Sequence, residues 1–404
     1  MMMNRREYKR KTNVVALEDE ANISVDLKNW KKQWPSLIEK VESPRVELRI
    51  AALKAINTIL TSKFIGDDLT QFIEDTFNSL HSPIFEYTSI DEHKEAMKVI
   101  CNLSLNLGED FVQYSNLYID SVLSKIEEIK EEEISRIFTI AVLCLFSISS
   151  KQTLINTLNK VIIQIMKNKK FTKTMIAECI KDVRIIIISI NSEGMTNELI
   201  SSIIAMIDQC LTSQNPLILT ETIEFIPVLF DIISSQTVED NDEFSKSFVM
   251  KYSSKLSSNM GQSCKKKSDI KQIAEKAATV SDYLHGETFE KEIILSNQRK
   301  EFTGATNLTI IKVIKTITEC NFQHQMIENP IIHAHLGYSL LAQKDALKLK
   351  KKVKQDIDDN YNKRKKERKM KLTSSRKKKD QIQNFESDDH FSFHISTQQI
   401  PVSE

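Results

Sequence analysis

Apolar residues recur at three- and four-residue steps along most of the chain, which is the period of an amphipathic helix. The first clear stripe joins Val46, Ile50, Leu53, Ile56 and Leu60. Further helices are predicted over 109–129, 132–148, 151–168, 172–190, 196–212 and 217–235. Short polar breaks separate them, so neighbours are expected to pack as antiparallel pairs. A pair period of about 40 to 45 residues is typical of armadillo and HEAT repeats.

Local signals refine this pattern at two places. Asp67 and Asp68 are expected to cap one helix that carries Leu69, Phe72, Ile73, Phe77 and Leu80. Ser89 and Glu92 have capping-box spacing, and the helix that follows is expected to end at Gly108. The isoleucine run at 185–188 is apolar nearly all round, so its helix needs neighbours on both sides.

The chain divides into five predicted parts. The sequence favours an all-α, right-handed armadillo/HEAT-like superhelix over residues 29–285, with order beginning at Trp30 and Trp34. A small C-terminal module is predicted over 286–340, with a short strand at 291–295 and a returning one at 300–302. Residues 1–28 are expected to be disordered, 341–379 to be a basic helical or disordered arm, and 380–404 an acidic, polar, disordered tail.

Composition supports the helical array. The chain has 7 glycines and 7 prolines in 404 residues, too few for the many turns of an all-β fold. Its six cysteines lack paired spacing, which indicates buried free thiols in a reducing compartment. No membrane span is expected, because the most apolar stretch contains Glu221, Glu224 and Asp231. The N-terminus lacks the apolar stretch of a secretory signal, so the expected location is the cytoplasm and nucleus.

Charge is distributed unevenly although the net charge is only +1. Residues 344–379 hold 17 Lys and Arg against 5 Asp and Glu, a net of +12. The pattern admits a solvated tail, a nuclear-import signal that binds an import receptor, or a phosphate-binding arm. Few aromatic residues interrupt the lysines, so backbone contact is favoured over base reading. The predicted nucleic-acid-binding residues are Lys348, Lys350, Lys351, Lys352, Lys354, Lys363, Arg364, Lys365, Lys366, Arg368, Lys369, Lys371, Arg376, Lys377, Lys378 and Lys379.

Catalytic motifs are missing from the sequence: there is no phosphate-binding glycine loop, nucleophile elbow, zinc-protease or kinase signature. Cys320, His324, His333 and His335 are the one group that suggests a metal, but their spacing is unlike that of structural zinc sites. They are interpreted as a structural cluster. The sequence therefore predicts a protein that is not an enzyme, with no cofactor, no metal and no small-molecule substrate.

Two segments resemble the interferon-related developmental regulator family. Near the N-terminus, Arg49, Ala51, Ala52 and Leu53 match the start of its first repeat helix, which leaves through a Ser-Lys pair. Near the C-terminus, residues 321–329 resemble the family's turn, which is followed by a second short apolar helix. This chain departs from the family pattern at two positions. The family has Gly where Asn321 stands, and it has a Leu-Gly-Pro run where Gly337 is followed by Tyr338 here. The resemblance assigns structural roles in this second segment to Phe322, His324, Met326, Asn329 and Gly337.

The resemblance implies two activities: transcriptional co-regulation through protein contacts, and binding to ribosomes that holds them inactive. The primary interpretation is a regulator that docks through its solenoid and basic arm on a ribosome or other RNA-containing partner and represses translation. A nuclear transcriptional co-regulator that binds protein regulators is the first alternative. An importin-like cargo adaptor is the second, although the two tryptophans, Trp30 and Trp34, precede the first repeat and cannot form the tryptophan-asparagine ladder of such grooves.

Overall fold

The computed structural model describes residues 23–147, 150–235, 241–256, 264–295 and 298–338, and most of these residues are helical. In chain order the elements are α1 (Trp30–Val41), α2 (Val46–Ser62), α3 (Gly66–Leu69), α4 (Ile73–Ser79), α5 (His81–Phe85), α6 (Ile90–Leu107), α7 (Val112–Leu123), α8 (Ser135–Phe146), α9 (Lys151–Lys167), α10 (Lys173–Gly194), α11 (Asn197–Leu211), α12 (Pro216–Ser234), α13 (Asn241–Leu256), α14 (Lys267–Leu284), β1 (Glu290–Leu295), β2 (Gln298–Thr303), α15 (Ala305–Thr318), α16 (Phe322–Glu328) and α17 (Pro330–Leu336).

The repeats stack in two layers. The inner layer consists of α2, α6, α8, α10, α12 and α14, and each of these helices packs against the next. The helices between them in the chain cover the outer side, where α7 contacts α9 and α9 contacts α11. Successive inner helices begin 38 to 51 residues apart, at residues 46, 90, 135, 173, 216 and 267. This architecture confirms the predicted all-α fold of stacked helical pairs.

The core runs without interruption along the inner layer. Ile185, Ile186 and Ile187 of α10 are buried because α8 and α12 flank that helix, as the apolar run predicted. At the N-terminal end, Trp30 and Trp34 are buried edge to face, and the Trp34 indole donates a hydrogen bond to Thr76. Among the described residues, no helix is both long and apolar enough to cross a membrane.

Tertiary contacts override two of the predicted capping interactions. The segment after Ile65 is not one helix but α3, a 3₁₀ turn and α4, and neither Asp67 nor Asp68 caps it. Its start is set instead by the Asn106 side chain, which accepts a hydrogen bond from the Ile65 N–H. Ser89 caps α6 as predicted, but Glu92 does not complete the capping box, because its carboxylate pairs with Arg49 of α2.

Three further expectations are corrected or fall outside the description. The sequence predicts disorder over residues 23–28, yet Ile23 and Val25 pack on the core. Cys320 is exposed, whereas the other five cysteines are buried free thiols. The rest of the predicted disordered N-terminus, the basic arm and the acidic tail lie outside the described residues.

The predicted strands form an antiparallel hairpin, in which Lys291 of β1 stands opposite Phe302 of β2. The structure does not set residues 286–338 apart as a separate module, because all described residues fall in one compact unit. Instead, this part of the chain lies on the inner helices.

Candidate functional site

The C-terminal segment, defined here as residues 290–338, runs back along the repeats in the direction opposite to their order. Its helix α15 contacts α12, α10 and α6, α16 then contacts α2, and α17 returns to α6. Five apolar side chains of α15 are buried in these contacts: Ile310, Ile311, Val313, Ile314 and Ile317. The inner surface of the array is therefore occupied by the protein's own chain.

Side chains of the repeats satisfy the free backbone groups at the start of α15. The first N–H groups of a helix have no partner within the helix. Asp231 of α12 accepts from the Thr306 N–H at 3.0 Å, and the Tyr283 hydroxyl of α14 accepts from the Ala305 N–H at 3.2 Å. The capping position, Gly304, has a φ of 85°, and a Cβ there would lie 3.3 Å from the Asp231 carboxylate. Glycine is thus required both by the backbone conformation and by the approach of Asp231.

Glu224 of α12 is a charge centre shared by four helices. Its carboxylate forms ion pairs with Arg184 of α10 at 3.2 Å, with Lys312 of α15 at 3.3 Å and, at shorter range, with Lys276 of α14. Arg184 also pairs with Glu221 at 3.1 Å. Burial alone would raise the pKa of Glu224, but Lys312, Lys276 and Arg184 together lower that pKa to about 2. Glu224 therefore fixes α15 to the inner layer as an ionised carboxylate.

Two buried amide side chains bind the ends of inner helices. The Gln325 amide donates to the backbone oxygens of Leu60 at 3.1 Å and Thr61 at 2.9 Å, in the last turn of α2. The Asn329 amide donates to the Leu105 oxygen at 2.9 Å, in the last turn of α6. The carbonyl groups of a last helical turn have no intrahelical donors. The pair Gln325 and Asn329, called here the amide clamp, supplies such donors.

The last described residues are held against the hairpin and α16. The Tyr338 hydroxyl donates a short hydrogen bond to the Met326 backbone oxygen, and its ring lies edge to face against Phe302 with centroids 5.4 Å apart. Gly337 ends α17 in the left-handed conformation, with a φ of 63°. Tyr338 thus fixes the point from which the sequence continues into the basic arm.

The residues singled out by the family resemblance have structural positions. Arg49 makes a bidentate ion pair with the fully buried Glu92 and joins α2 to α6. Ala52 and Leu53 are fully buried, and Ala51 is half-buried. Met326 is fully buried, while Phe322 is only partly buried against the core. Asn329 caps α17 through the Ile331 N–H at 2.9 Å.

The segment 321–329 is a helix rather than the expected turn. The left-handed backbone lies two residues earlier, at Glu319, whose φ is 49°. Asn321, which occupies the family's glycine position, has an ordinary φ of −92°. An ion pair of 2.8 Å between Glu319 and Lys98 of α6 fastens this strained residue.

The Cys320 and histidine group is spread over separate contacts. Cys320 and His324 are exposed. His333 forms a 3.0 Å hydrogen bond with the Met326 oxygen, and His335 packs on the ring of Phe146. Burial lowers the pKa of His335. Among the described residues, no three His, Cys, Asp or Glu side chains lie together as a metal site would require.

Several contact residues of the C-terminal segment were not predicted, notably Gln325, Arg184 and Lys312. A signal was present for the partners of Arg184 and Lys312, because Glu221 and Glu224 interrupt the most apolar of the described helices. An acid in such a helix needs a buried or half-buried partner. These partners lie 37 to 88 residues away in sequence, and those of Gln325 lie 264 and 265 residues away, so no local pattern reveals them.

Cavities in the described part of the chain are shallow. A depression of about 320 Å³ lies between α7 and α9, and a neighbour of about 280 Å³ shares Leu123, Lys160 and Ile163 with it. Neither includes a predicted site residue. The predicted nucleic-acid-binding residues, from Lys348 to Lys379, lie outside the described residues.

Comparisons with known proteins leave the family open. No protein-family model matches the chain, and no curated protein matches it either. One similar solved structure is the crystal structure of an engineered protein, 13% identical, with 62% of this chain and 97% of that chain covered and a TM-score of 0.35. A likeness of that size bears on neither fold nor function.

Proposed function

We propose that this protein is a non-enzymatic regulator that binds a ribosome, or another RNA-containing particle, through its basic arm and represses translation. The observation that carries the proposal is the net charge of +12 over residues 344–379. Ribosomal RNA presents dense phosphate, and each phosphate neutralised by Lys or Arg releases condensed counterions. An arm with few base-reading aromatic residues suits a partner recognised by its backbone and shape.

The body holds the last described residue before the arm in place. Tyr338 is anchored on Phe302 and Met326, and the first lysine of the arm, Lys344, follows six residues later in sequence. A tether that starts from a fixed point loses less conformational entropy on binding than a free chain.

The occupied inner surface weighs against the cargo-adaptor alternative. Importin-like grooves bind extended peptides on the inner helices, where this chain carries α15, with its Ile311 and Ile314 fully buried. Trp30 and Trp34 are buried at the N-terminal end and do not face a groove. The nuclear co-regulator, with the arm as an import signal, is the remaining alternative.

We also propose that the chain is a divergent relative of the interferon-related developmental regulator family. Support comes from the roles of the matching residues: Arg49 joins the first two inner helices, Asn329 caps the short helix α17, and Gly337 ends it. The translational part of the proposed function depends on this relationship.

Charge reversal of the arm tests the proposal. The full chain with Glu at six arm positions should lose co-sedimentation with ribosomes on sucrose gradients, while its helical circular dichroism stays unchanged. The positions are Lys363, Arg364, Lys365, Lys366, Arg368 and Lys369. RNase treatment of the wild-type sample should likewise release the protein. Reversal of the exposed run Lys265, Lys266 and Lys267 provides a control on the body.

An added import signal separates the two remaining functions. If the protein is a nuclear co-regulator, the added signal should restore activity to the charge-reversed variant. If the protein binds ribosomes, the added signal should not restore it. Wild-type protein that never sediments with ribosomes, in growth or starvation, would refute the ribosome proposal.

A further inference from the structure

The hairpin of β1 and β2 has no third strand among the described residues. Its register determines which backbone groups face outward. The Gly304 N–H donates to the Phe289 oxygen at 2.9 Å, and this bond continues the register of the hairpin. Hydrogen-bonded and non-hydrogen-bonded pairs alternate in an antiparallel ladder. The backbone N–H and C=O groups of Arg299 and Glu301 in β2 therefore point away from β1.

This outward row of β2 is available for pairing. At its end, the Thr303 oxygen accepts a hydrogen bond from the Asn307 side chain at 3.0 Å. Within the described part of the chain, no hydrogen bond from outside the hairpin reaches the backbone of Arg299 or Glu301. Unpaired groups along a strand edge are a template for another strand.

The C-terminal tail contains a segment with the pattern of a strand, residues 391–397. Its apolar residues are Phe391, Phe393 and Ile395, and they alternate with Ser392, His394 and Ser396. Alternation of this kind, with aromatic and β-branched residues, is typical of a half-buried strand. β2 has the same two-sided character, because Phe302 is buried against the body while Arg299 and Glu301 are exposed. An added strand could thus match both of its faces.

The place where the described chain ends favours β2 over β1. Tyr338 lies edge to face against Phe302 of β2, with ring centroids 5.4 Å apart. Phe391 follows Tyr338 by 53 residues, a length that allows the chain to return to the strand that it leaves. On the other side of the hairpin, α16 packs against β1.

We propose that residues 391–397 dock along the outward edge of β2 as a third strand, so that both ends of the basic arm are held at the hairpin. Strand addition to an exposed sheet edge is a recurring mode of peptide recognition. The exposed charges of Arg299 and Glu301 disfavour pairing with a second copy. A segment of the same chain overcomes this because the tether raises its effective concentration.

The consequence of this docking is a closed loop. The arm, residues 344–379, lies in sequence between Tyr338 and the docked strand. The docking itself is independent of the proposed function, whereas the role of the loop, which is to present the lysines to RNA, rests on it.

Hydrogen exchange of the full chain, measured without RNA, tests the docking. The outward amides of Arg299 and Glu301 should exchange at least about tenfold more slowly in wild type than in Phe393→Pro, because an amide exchanges only when its hydrogen bond opens. Mass spectrometry of the peptide 298–303 reports this difference. Gln383→Pro places proline in the tail outside the docking segment and should leave the exchange unchanged.

Proline on each edge of the hairpin identifies the strand that is used. Glu301 and Glu292 stand directly opposite each other, and the N–H of each points outward. Proline at either position therefore leaves the ladder bonds of the hairpin in place. Glu301→Pro should make residues 391–397 exchange rapidly, whereas the matched variant Glu292→Pro should keep them protected. Continued protection of the Ile293 amide, which pairs with Lys300, shows that the hairpin remains folded.

Each outcome bears on the proposal. Equal exchange of the outward amides in wild type and Phe393→Pro overturns it. Release of the tail by Glu292→Pro but not by Glu301→Pro overturns the assignment to β2. Protection that is lost on dilution, together with a dimer in light scattering, means that a second copy supplies the strand and overturns docking within one chain. Protection in a protein that never sediments with ribosomes supports the docking and refutes the proposed function alone.

Discussion

Glu224 shows how much one side chain contributes to the placement of the C-terminal segment. The pKa of Glu224 is about 2 in the folded protein, below the usual 4.5. A carboxyl with a lowered folded pKa stabilises the fold above its unfolded pKa, and this stabilisation is lost as the pH falls through the folded pKa. Glu224→Gln should therefore lower the free energy of unfolding by about 3 kcal/mol at pH 7. The difference from wild type should shrink between pH 4.5 and 2 in urea titrations.

An exposed ion pair provides the comparison. Glu275→Gln breaks a pair of 3.7 Å with Lys271, whose side chain is 81% exposed. Such surface pairs contribute about 0 to 1 kcal/mol. Equal losses for Glu224→Gln and Glu275→Gln would show that Glu224 is not a charge centre.

Asp182 differs from Glu224 because its surroundings disfavour the ionised carboxylate. It is fully buried on α10, and neither carboxyl oxygen has a hydrogen-bond partner among the described residues. Burial raises its pKa well above 3.8. The unfolded chain ionises Asp182 at lower pH than the folded protein does, so stability decreases as the pH rises above about 4. Asp182→Asn should consequently raise the melting temperature at pH 7 and change it less at pH 4.

Thermal melts at both pH values check this prediction. Asp120→Asn, at an exposed position of α7, controls for the substitution itself. A lower melting temperature for Asp182→Asn at pH 7 would mean that the carboxylate has a partner that stabilises its charge.

At the scale of elements, the amide clamp joins α16 to α2. Gln325→Ala removes the side-chain donor to the buried Thr61 oxygen and one of the two side-chain donors to the Leu60 oxygen, which keeps only the Asn106 amide. A buried polar group left unsatisfied costs about 1 to 3 kcal/mol, so the free energy of unfolding should fall by that amount. Gln323→Ala, at an exposed position of the same helix, should change it by less than about 0.5 kcal/mol. Chemical denaturation of both variants measures the difference, and similar losses would exclude the clamp.

The sequence predicted where helices and strands form better than it predicted which of them pack together. Periodicity located the repeat helices and the hairpin, because core-facing stripes are a local property. It misplaced the start of α3, since Asn106, 41 residues away, sets that start. It also suggested that residues 286–340 form a module, because short apolar helices do not reveal what covers them. No local pattern distinguishes Gln325 from an exposed amide, because its partners lie in α2.

At the scale of the whole molecule, the C-terminal segment belongs to the body. A chain that ends at Gln343 should keep a cooperative melt, because residues 344–379 are mostly charged and offer little apolar surface that folding could bury. A chain that ends at Thr303 lacks α15 and exposes the inner apolar surface that Ile311 and Ile314 cover. It should melt broadly and bind a hydrophobic dye. Circular dichroism and dye fluorescence of the two chains test this, and indistinguishable melts would contradict it.

The distance along the chain between Gln325 and its partners bears on how the protein is made. During synthesis, the N-terminal parts of a protein ordinarily fold first. Here the hydrogen bonds to Leu60 and Thr61 can form only after Gln325 is synthesised, 264 to 265 residues later. At about 5 to 20 residues per second, that delay is roughly ten to fifty seconds. During this interval the nascent inner surface stays uncovered, so the emerging chain needs shielding from its neighbours, and a premature stop would leave an aggregation-prone fragment.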